Sequence, residues 1–121
     1  MDWLLQTSVG ERIEQRIYSA GESLHAPHLL ELEVTQVLRR LVREGSVSAS
    51  RANEAMQDLL DLRITRYPHF VLLPRIWQLR HNLSVYDAAY VVLAEKLGAR
   101  LLTRDGRLAA ARGHAASIEV F

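Results

Sequence analysis

Glu33, Asp87 and Asp105 are the residues whose type and placement could do chemistry. Carboxylates brought together from distant parts of a chain can hold a hard cation such as Mg2+. That ion prefers oxygen ligands and usually takes one or two carboxylates, with water and substrate phosphate completing its octahedron. Beside a phosphodiester, such an ion lowers the pKa of a bound water and shields the negative charge developing on phosphate. The chemistry in view is therefore metal-assisted hydrolysis. The chain has no cysteine, which excludes a thiolate metal site and a disulfide framework. Its five histidines show no ligand spacing.

Each acid also has a plainer reading. Glu33 lies in the first turns of an amphipathic helix, where the positive helix N-terminus favours any solvated acid. Glu31 is its rival, and the helical wheel does not choose between them. Asp87 follows Ser84 by three residues, a capping-box-like pair. It opens a segment apolar enough to be central, however, and its neighbours Ala88 and Ala89 are small enough to admit another element. Asp105 comes just after Leu101-Leu102-Thr103, past the end of an expected parallel strand. Open α/β sheets place their ligands there, and a turn-forming or capping Asp is equally at home there. Thr103 could orient a water or a phosphate. Tyr86 and Tyr90, four apart, could stack on a base, but a helix apolar all round points to core packing for both.

The elements that must position these residues follow from periodicity. Met1 to Gln6 is short and apolar. Val9 to Ala20 reads as a surface helix stopped at Gly21, and Ser23 to Ala26 as a short strand ended by Pro27. Val34, Val37, Leu38, Leu41 and Val42 make one apolar stripe on a helix from about His28 to Glu44. Ser48 or Ser50 caps the next helix, which runs to about Leu62. Arg63 to Tyr67 is a second short strand. His69 to His81 is helical, with a break or fresh start at Pro74. Ser84 to Leu97 is a buried helix ended by Gly98. Leu101 to Thr103 is a buried strand, followed by a turn or short helix to Ala111 and a last strand over Ile118 to Phe121. Short strands alternating with helices imply a parallel sheet covered by helices.

Composition bounds the rest. A chain of 121 residues, 49% hydrophobic, fits one globular domain. No apolar run approaches the roughly 20 residues needed to span a bilayer, and no signal peptide is legible. The expectation is a cytoplasmic protein without a membrane partner. The net charge of +1 argues against a strong whole-molecule pull on nucleic acid. Of the fifteen basic residues all but Lys96 are Arg, which suits bidentate phosphate contact; base composition of the genome explains the same bias. A helical nucleic-acid-binding module using Arg39, Arg40 and Arg43 is one reading without catalysis, and it predicts salt-sensitive binding.

Three segments carry a resemblance to a known family. Leu83-Ser84-Val85-Tyr86-Asp87-Ala88-Ala89-Tyr90-Val91-Val92-Leu93-Ala94-Glu95 resembles the signature of PIN-domain ribonuclease toxins of the VapC type. Leu101-Leu102-Thr103-Arg104-Asp105-Gly106-Arg107-Leu108 is similar to that family's next motif, and Ala26-Pro27-His28-Leu29-Leu30 leading to Glu33-Val34 to an earlier one. The resemblance implies a three-layer α/β/α PIN-like domain with a short, mostly parallel central sheet. It implies Mg2+- or Mn2+-dependent endoribonuclease activity on RNA, a cognate antitoxin that restrains it as in type II toxin–antitoxin pairs, and a homodimer. It makes Glu33, Asp87 and Asp105 the catalytic and metal-holding acids and prefers Glu33 to Glu31.

The resemblance also implies a departure. The family opens with an apolar strand ending in Asp, then a small residue and Ser. Here Met1-Asp2-Trp3-Leu4-Leu5 is similar to the segment just after that motif, so Asp2 is not the family's first acid. Residues 1–121 are then expected to be a single PIN-like domain truncated at its N-terminus, with the true start upstream of Met1. A real absence would remove the sheet's central strand, leave backbone groups unpaired and leave the site one acid short. A catalytically impaired PIN-like protein that acts only by binding an antitoxin is the alternative.

Overall fold

Strands separated by helices cannot close as tight hairpins, so they pair in parallel through crossovers. The computed structural model describes residues 3–5, as backbone, and residues 23–120. In chain order the elements are β1 Trp3–Leu5, β2 Leu24–Pro27, α1 Leu29–Arg43, α2 Ala49–Asp61 and β3 Ile64–Tyr67. A 3-10 turn at Phe70–Leu72 leads to α3 Leu73–Gln78, α4 Val85–Leu97, β4 Arg100–Thr103, α5 Gly106–Ala110 and β5 Ser117–Val120. The helix expected over Val9–Ala20, its Gly21 stop, Asp2 and Phe121 lie outside the described residues.

The five strands form one sheet in the order β3-β2-β1-β4-β5, every pairing parallel. Trp3–Leu5 takes the middle position, pairing with Leu24 and His25 on one side and with Arg100, Leu101 and Leu102 on the other. The sheet therefore has no gap at its centre. Its middle strand is the segment the family resemblance placed just after the first acidic motif. The chain steps one way across the sheet from β2 to β3, and the other way from β3 to β4 and β5. Right-handed crossovers then put helices on both faces, a three-layer α/β/α arrangement. The direction reverses between β1 and β4, which makes their carboxyl ends the topological switch point.

α4 carries no polar face because it lies across the middle of the sheet, against β2, β1 and β4. Ala88 through Ala94 are all buried, in one cluster with Leu72, Leu79, Leu101, Leu102 and Leu108. Ser84 caps it, its hydroxyl oxygen accepting from the Asp87 N–H at 3.1 Å. Gly98 ends it with φ of 63°, a left-handed conformation that favours glycine. Between Ser48 and Ser50, it is Ser48 that caps α2, accepting from the Arg51 N–H at 3.1 Å. Pro74 sits in the first turn of α3, where its missing N–H has no intrahelical partner to lose.

One charged staple ties α4 to its surroundings. The Arg75 guanidinium donates to both carboxylate oxygens of Glu95, each at 3.1 Å, and to the Gly113 carbonyl at 2.8 Å. Glu95 also accepts from the Ala115 N–H at 2.7 Å. Burial works to raise the Glu95 pKa, but the hydrogen bonds from Arg75 and Ala115 and the charge of Arg75 outweigh it and hold the carboxyl below its ordinary value. α3, α4 and the segment entering β5 are locked together by this contact. Among the described residues no helix is long and apolar enough to cross a membrane.

Candidate functional site

The chain turns directly from β2 into α1 at the carboxyl edge of the sheet. The His28 N–H donates to the Tyr67 carbonyl at 3.0 Å, and the Leu29 N–H donates to His69 Nε2 at 3.0 Å. These bonds satisfy N–H groups that a helix start leaves without partners, and they set the second turn of α1, with Glu33, over that edge. α4 runs back toward the start of β4, so its first turn, with Asp87, is at the same edge. Asp105 follows the last residues of β4 and is the N-cap of α5. Three acids more than fifty residues apart at their extremes thus share one end of the sheet, beside the switch point where ligands of such folds bind.

The structure separates Glu31 from Glu33. Glu31 pairs with the Arg66 guanidinium of β3. Glu33 turns to α4, where the Tyr90 hydroxyl donates to its Oε1. Partial burial raises the Glu33 pKa; the Tyr90 hydrogen bond works against the rise, and the charge of Asp87 adds to it. A carboxylate that is desolvated and repelled by a neighbouring acid favours either a proton or a cation. The Tyr90 phenol is pushed up by its burial first, then by the Glu33 hydrogen bond and charge, then by Asp87. It therefore stays a donor.

Asp105 has a different environment. Its carboxylate accepts from the Arg107 backbone N–H at 3.0 Å and from the Arg107 guanidinium at 2.7 to 3.2 Å. The Arg107 side-chain hydrogen bond, chiefly, holds its pKa below the ordinary value. Arg107 is also close enough to Asp87 to feel its charge. Thr103 is buried, 2% exposed, and its hydroxyl oxygen accepts from the Asp105 N–H at 3.0 Å. In this arrangement Thr103 positions Asp105.

Glu33 and Asp87 are thus brought into one electrostatic field, and Asp105 is linked to it through Arg107. Among the described residues no three His, Asp or Glu side chains form a group that could hold a metal ion. Glu33 and Asp87 nevertheless suit Mg2+ or Mn2+: their donors are all oxygen, and two carboxylates match what Mg2+ takes from a protein. Partial burial, chiefly, and the charge of Asp87 both disfavour a bare Glu33 carboxylate, a cost that a cation there would relieve.

Two features escaped the sequence reading. Tyr90 does pack in the core, fully buried, but its hydroxyl reaches Glu33. A single hydroxyl in an otherwise aliphatic stretch, one turn from Asp87, was the available signal. Arg107, two residues from Asp105, left no signal beyond proximity. Tyr86 was expected in the core with Tyr90 and is instead 64% exposed. It lies in the first turn of α4, where Val85 is also exposed.

Comparison with known proteins agrees with this architecture. The PIN domain family matches residues 2–113. The chain is 47% identical over 89 residues to the VapC ribonuclease Mb0985 of Mycobacterium bovis, covering 74% of this chain and 70% of that protein. It is 37% identical over 120 residues to ribonuclease VapC12 of Mycobacterium tuberculosis, covering 99% of this chain and 92% of that one. A crystal structure of VapBC2 from Rickettsia felis, bound to a DNA fragment from their promoter, superposes with a TM-score of 0.61 at 11% identity, over 99% of this chain and 98% of that one. At that identity the superposition speaks for the fold alone. A family match over nearly the whole chain, with relatives of this identity and coverage, means that this chain belongs to the PIN-domain family and stands among its VapC members.

Proposed function

We propose that the chain is a metal-dependent endoribonuclease, the toxin of a type II toxin–antitoxin pair, with Glu33, Asp87 and Asp105 as its acidic site. The observation that carries this reading is the placement of Glu33, Asp87 and Asp105, from three separate elements, at the carboxyl edge of the sheet, with Asp87 close enough to act on the Glu33 carboxyl. A Mg2+ or Mn2+ ion bound there would lower the pKa of an attacking water and shield the charge developing on the phosphodiester. Glu33 and Asp87 would supply oxygen donors from two different helices. Asp105 would join them once Arg107 lets go of its carboxylate. Relatives named ribonucleases support RNA as the substrate.

The partner is a cognate antitoxin, supported by the VapBC2 complex of the same fold, and a second copy of the chain completes a homodimer. Phe70, Val71 and Trp77, close together in sequence and exposed, are the kind of surface that such contacts cover. The absence of a three-acid group among the described residues favours a second reading, in which the chain binds its antitoxin and cuts nothing. One assay decides. An end-labelled single-stranded RNA is incubated with the chain and Mg2+, with EDTA as control and with Asp87→Asn as the variant. The proposal expects cleavage that EDTA and Asp87→Asn both abolish. Cleavage that survives the substitution, or none by the unsubstituted chain, overturns it.

A further inference from the structure

Glu33 needs something to hold it. A glutamate side chain gives up rotamer freedom when it is fixed, and burial and the charge of Asp87 both disfavour its ionised carboxylate. A hydrogen-bond donor to the carboxylate works against both. The Tyr90 hydroxyl supplies that donor. We propose that Tyr90 is the positioning residue of the acidic site: its buried ring carries a hydroxyl that fixes Oε1 of Glu33 and leaves Oε2 to meet a divalent cation beside Asp87. The inference rests on the metal site proposed above.

Three observations make Tyr90 suited to this. Its ring is 0% exposed, in the core cluster between α4 and the sheet, so the hydroxyl has almost no freedom to leave. Tyr90 and Asp87 are three residues apart on one helix and lie on the same face, so the donor to Glu33 and the second acid move as one rigid unit. The donor is also neutral. An Arg or Lys in its place would bring its own positive charge and compete with the cation, as Arg107 does on Asp105; a phenol orients the carboxylate and leaves its charge available. A partner that orients a metal-binding carboxylate through a hydrogen bond is worth about 10- to 100-fold in metal affinity.

The test uses the full chain without RNA and Mn2+ as the probe. Mn2+ dissociation constants are measured by calorimetry for the unsubstituted chain, Tyr90→Phe, Glu33→Gln and the double variant. Tyr90→Phe is expected to bind Mn2+ about 10- to 100-fold more weakly with its circular dichroism unchanged, and to add no further loss in the Glu33→Gln background. Wild-type affinity in Tyr90→Phe overturns the inference, and so does an equal loss in both backgrounds, since the hydroxyl would then not act through Glu33. An unsubstituted chain that binds no Mn2+ overturns the metal site itself and this inference with it. Should Tyr90→Phe fail to fold, NMR of tyrosine labelled at Cζ answers instead. The one resonance that survives in each of Tyr18→Phe, Tyr67→Phe and Tyr86→Phe is that of Tyr90, and it is expected to shift on adding Mg2+ and in Glu33→Gln; if it does not, Tyr90 does not hold Glu33.

Discussion

Replacing Glu95 by Ala removes the acceptor that joins α3, α4 and the approach to β5. Three hydrogen bonds end on that carboxylate, two from Arg75 and one from the Ala115 N–H. Bonds to charged groups are each worth about 1.5–3 kcal/mol, but they do not add, and removing one partner of a fully buried pair costs about 3–5 kcal/mol in total. The Glu95 side chain is 13% exposed and that of Arg75 33%, so water reclaims part of the Arg75 loss. The expected cost is about 2–3 kcal/mol, a fall of roughly 8–12 °C in Tm for a domain of this size. Urea and thermal unfolding measure it. The pH dependence has a definite sign. Glu95 has a folded pKa below its ordinary value of 4.5, so its contribution is complete above that value and is lost as pH falls through the lower folded one. The gap between wild type and variant must therefore narrow in acid. A variant within about 0.5 kcal/mol of wild type, the range of an ordinary surface substitution, would show that the Glu95 contact does not join these elements. So would a gap that stays constant from neutral pH into acid.

Other outcomes follow from the site. Glu33→Gln abolishes cleavage yet stabilises the chain by up to about 1 kcal/mol at neutral pH. A carboxyl with a raised folded pKa costs stability when ionised, so this gain disappears below pH 4.5, where Glu33 is protonated too; urea unfolding at two pH values checks it. For the same reason Mn2+ affinity, followed by calorimetry, falls with decreasing pH earlier than it would for ordinary glutamates, because protons compete at Glu33. Arg107→Ala returns the Asp105 pKa toward its ordinary value of 3.8, as carboxyl NMR titration would record. Ala88→Leu overfills the contact between α4 and the sheet, where Ala88 is fully buried, and costs about 1–3 kcal/mol in urea unfolding.

Much of the fold was legible because local rules and burial agree in this chain. The Val34-to-Val42 stripe forecast α1, the unbroken apolar character of 88–94 forecast a central helix, and Pro74 forecast the fresh start of α3. Tyr86 was misplaced because periodicity reports which face a residue is on and says nothing of where the covering elements stop. The order of the strands and the central place of Trp3–Leu5 depend on pairings between distant segments, which three apolar residues do not reveal. At the site, the positions of Glu33, Asp87 and Asp105 could be read from element ends. Their partners could not: the Tyr90 contact spans fifty-seven residues, and the helical wheel left Glu31 and Glu33 open, so that only the family resemblance chose Glu33 before the Arg66 and Tyr90 contacts told the two apart.

On the function proposed above, Glu33 and Asp87 share a divalent cation at the carboxyl edge of the sheet. Paramagnetic broadening by substoichiometric Mn2+ in an amide NMR spectrum tests it most directly. Signals around Glu33, Asp87 and Asp105 are expected to broaden first, while those of exposed acids elsewhere, such as Glu54 and Asp61, stay sharp. Broadening centred on other acids, or spread evenly over the surface, would contradict it.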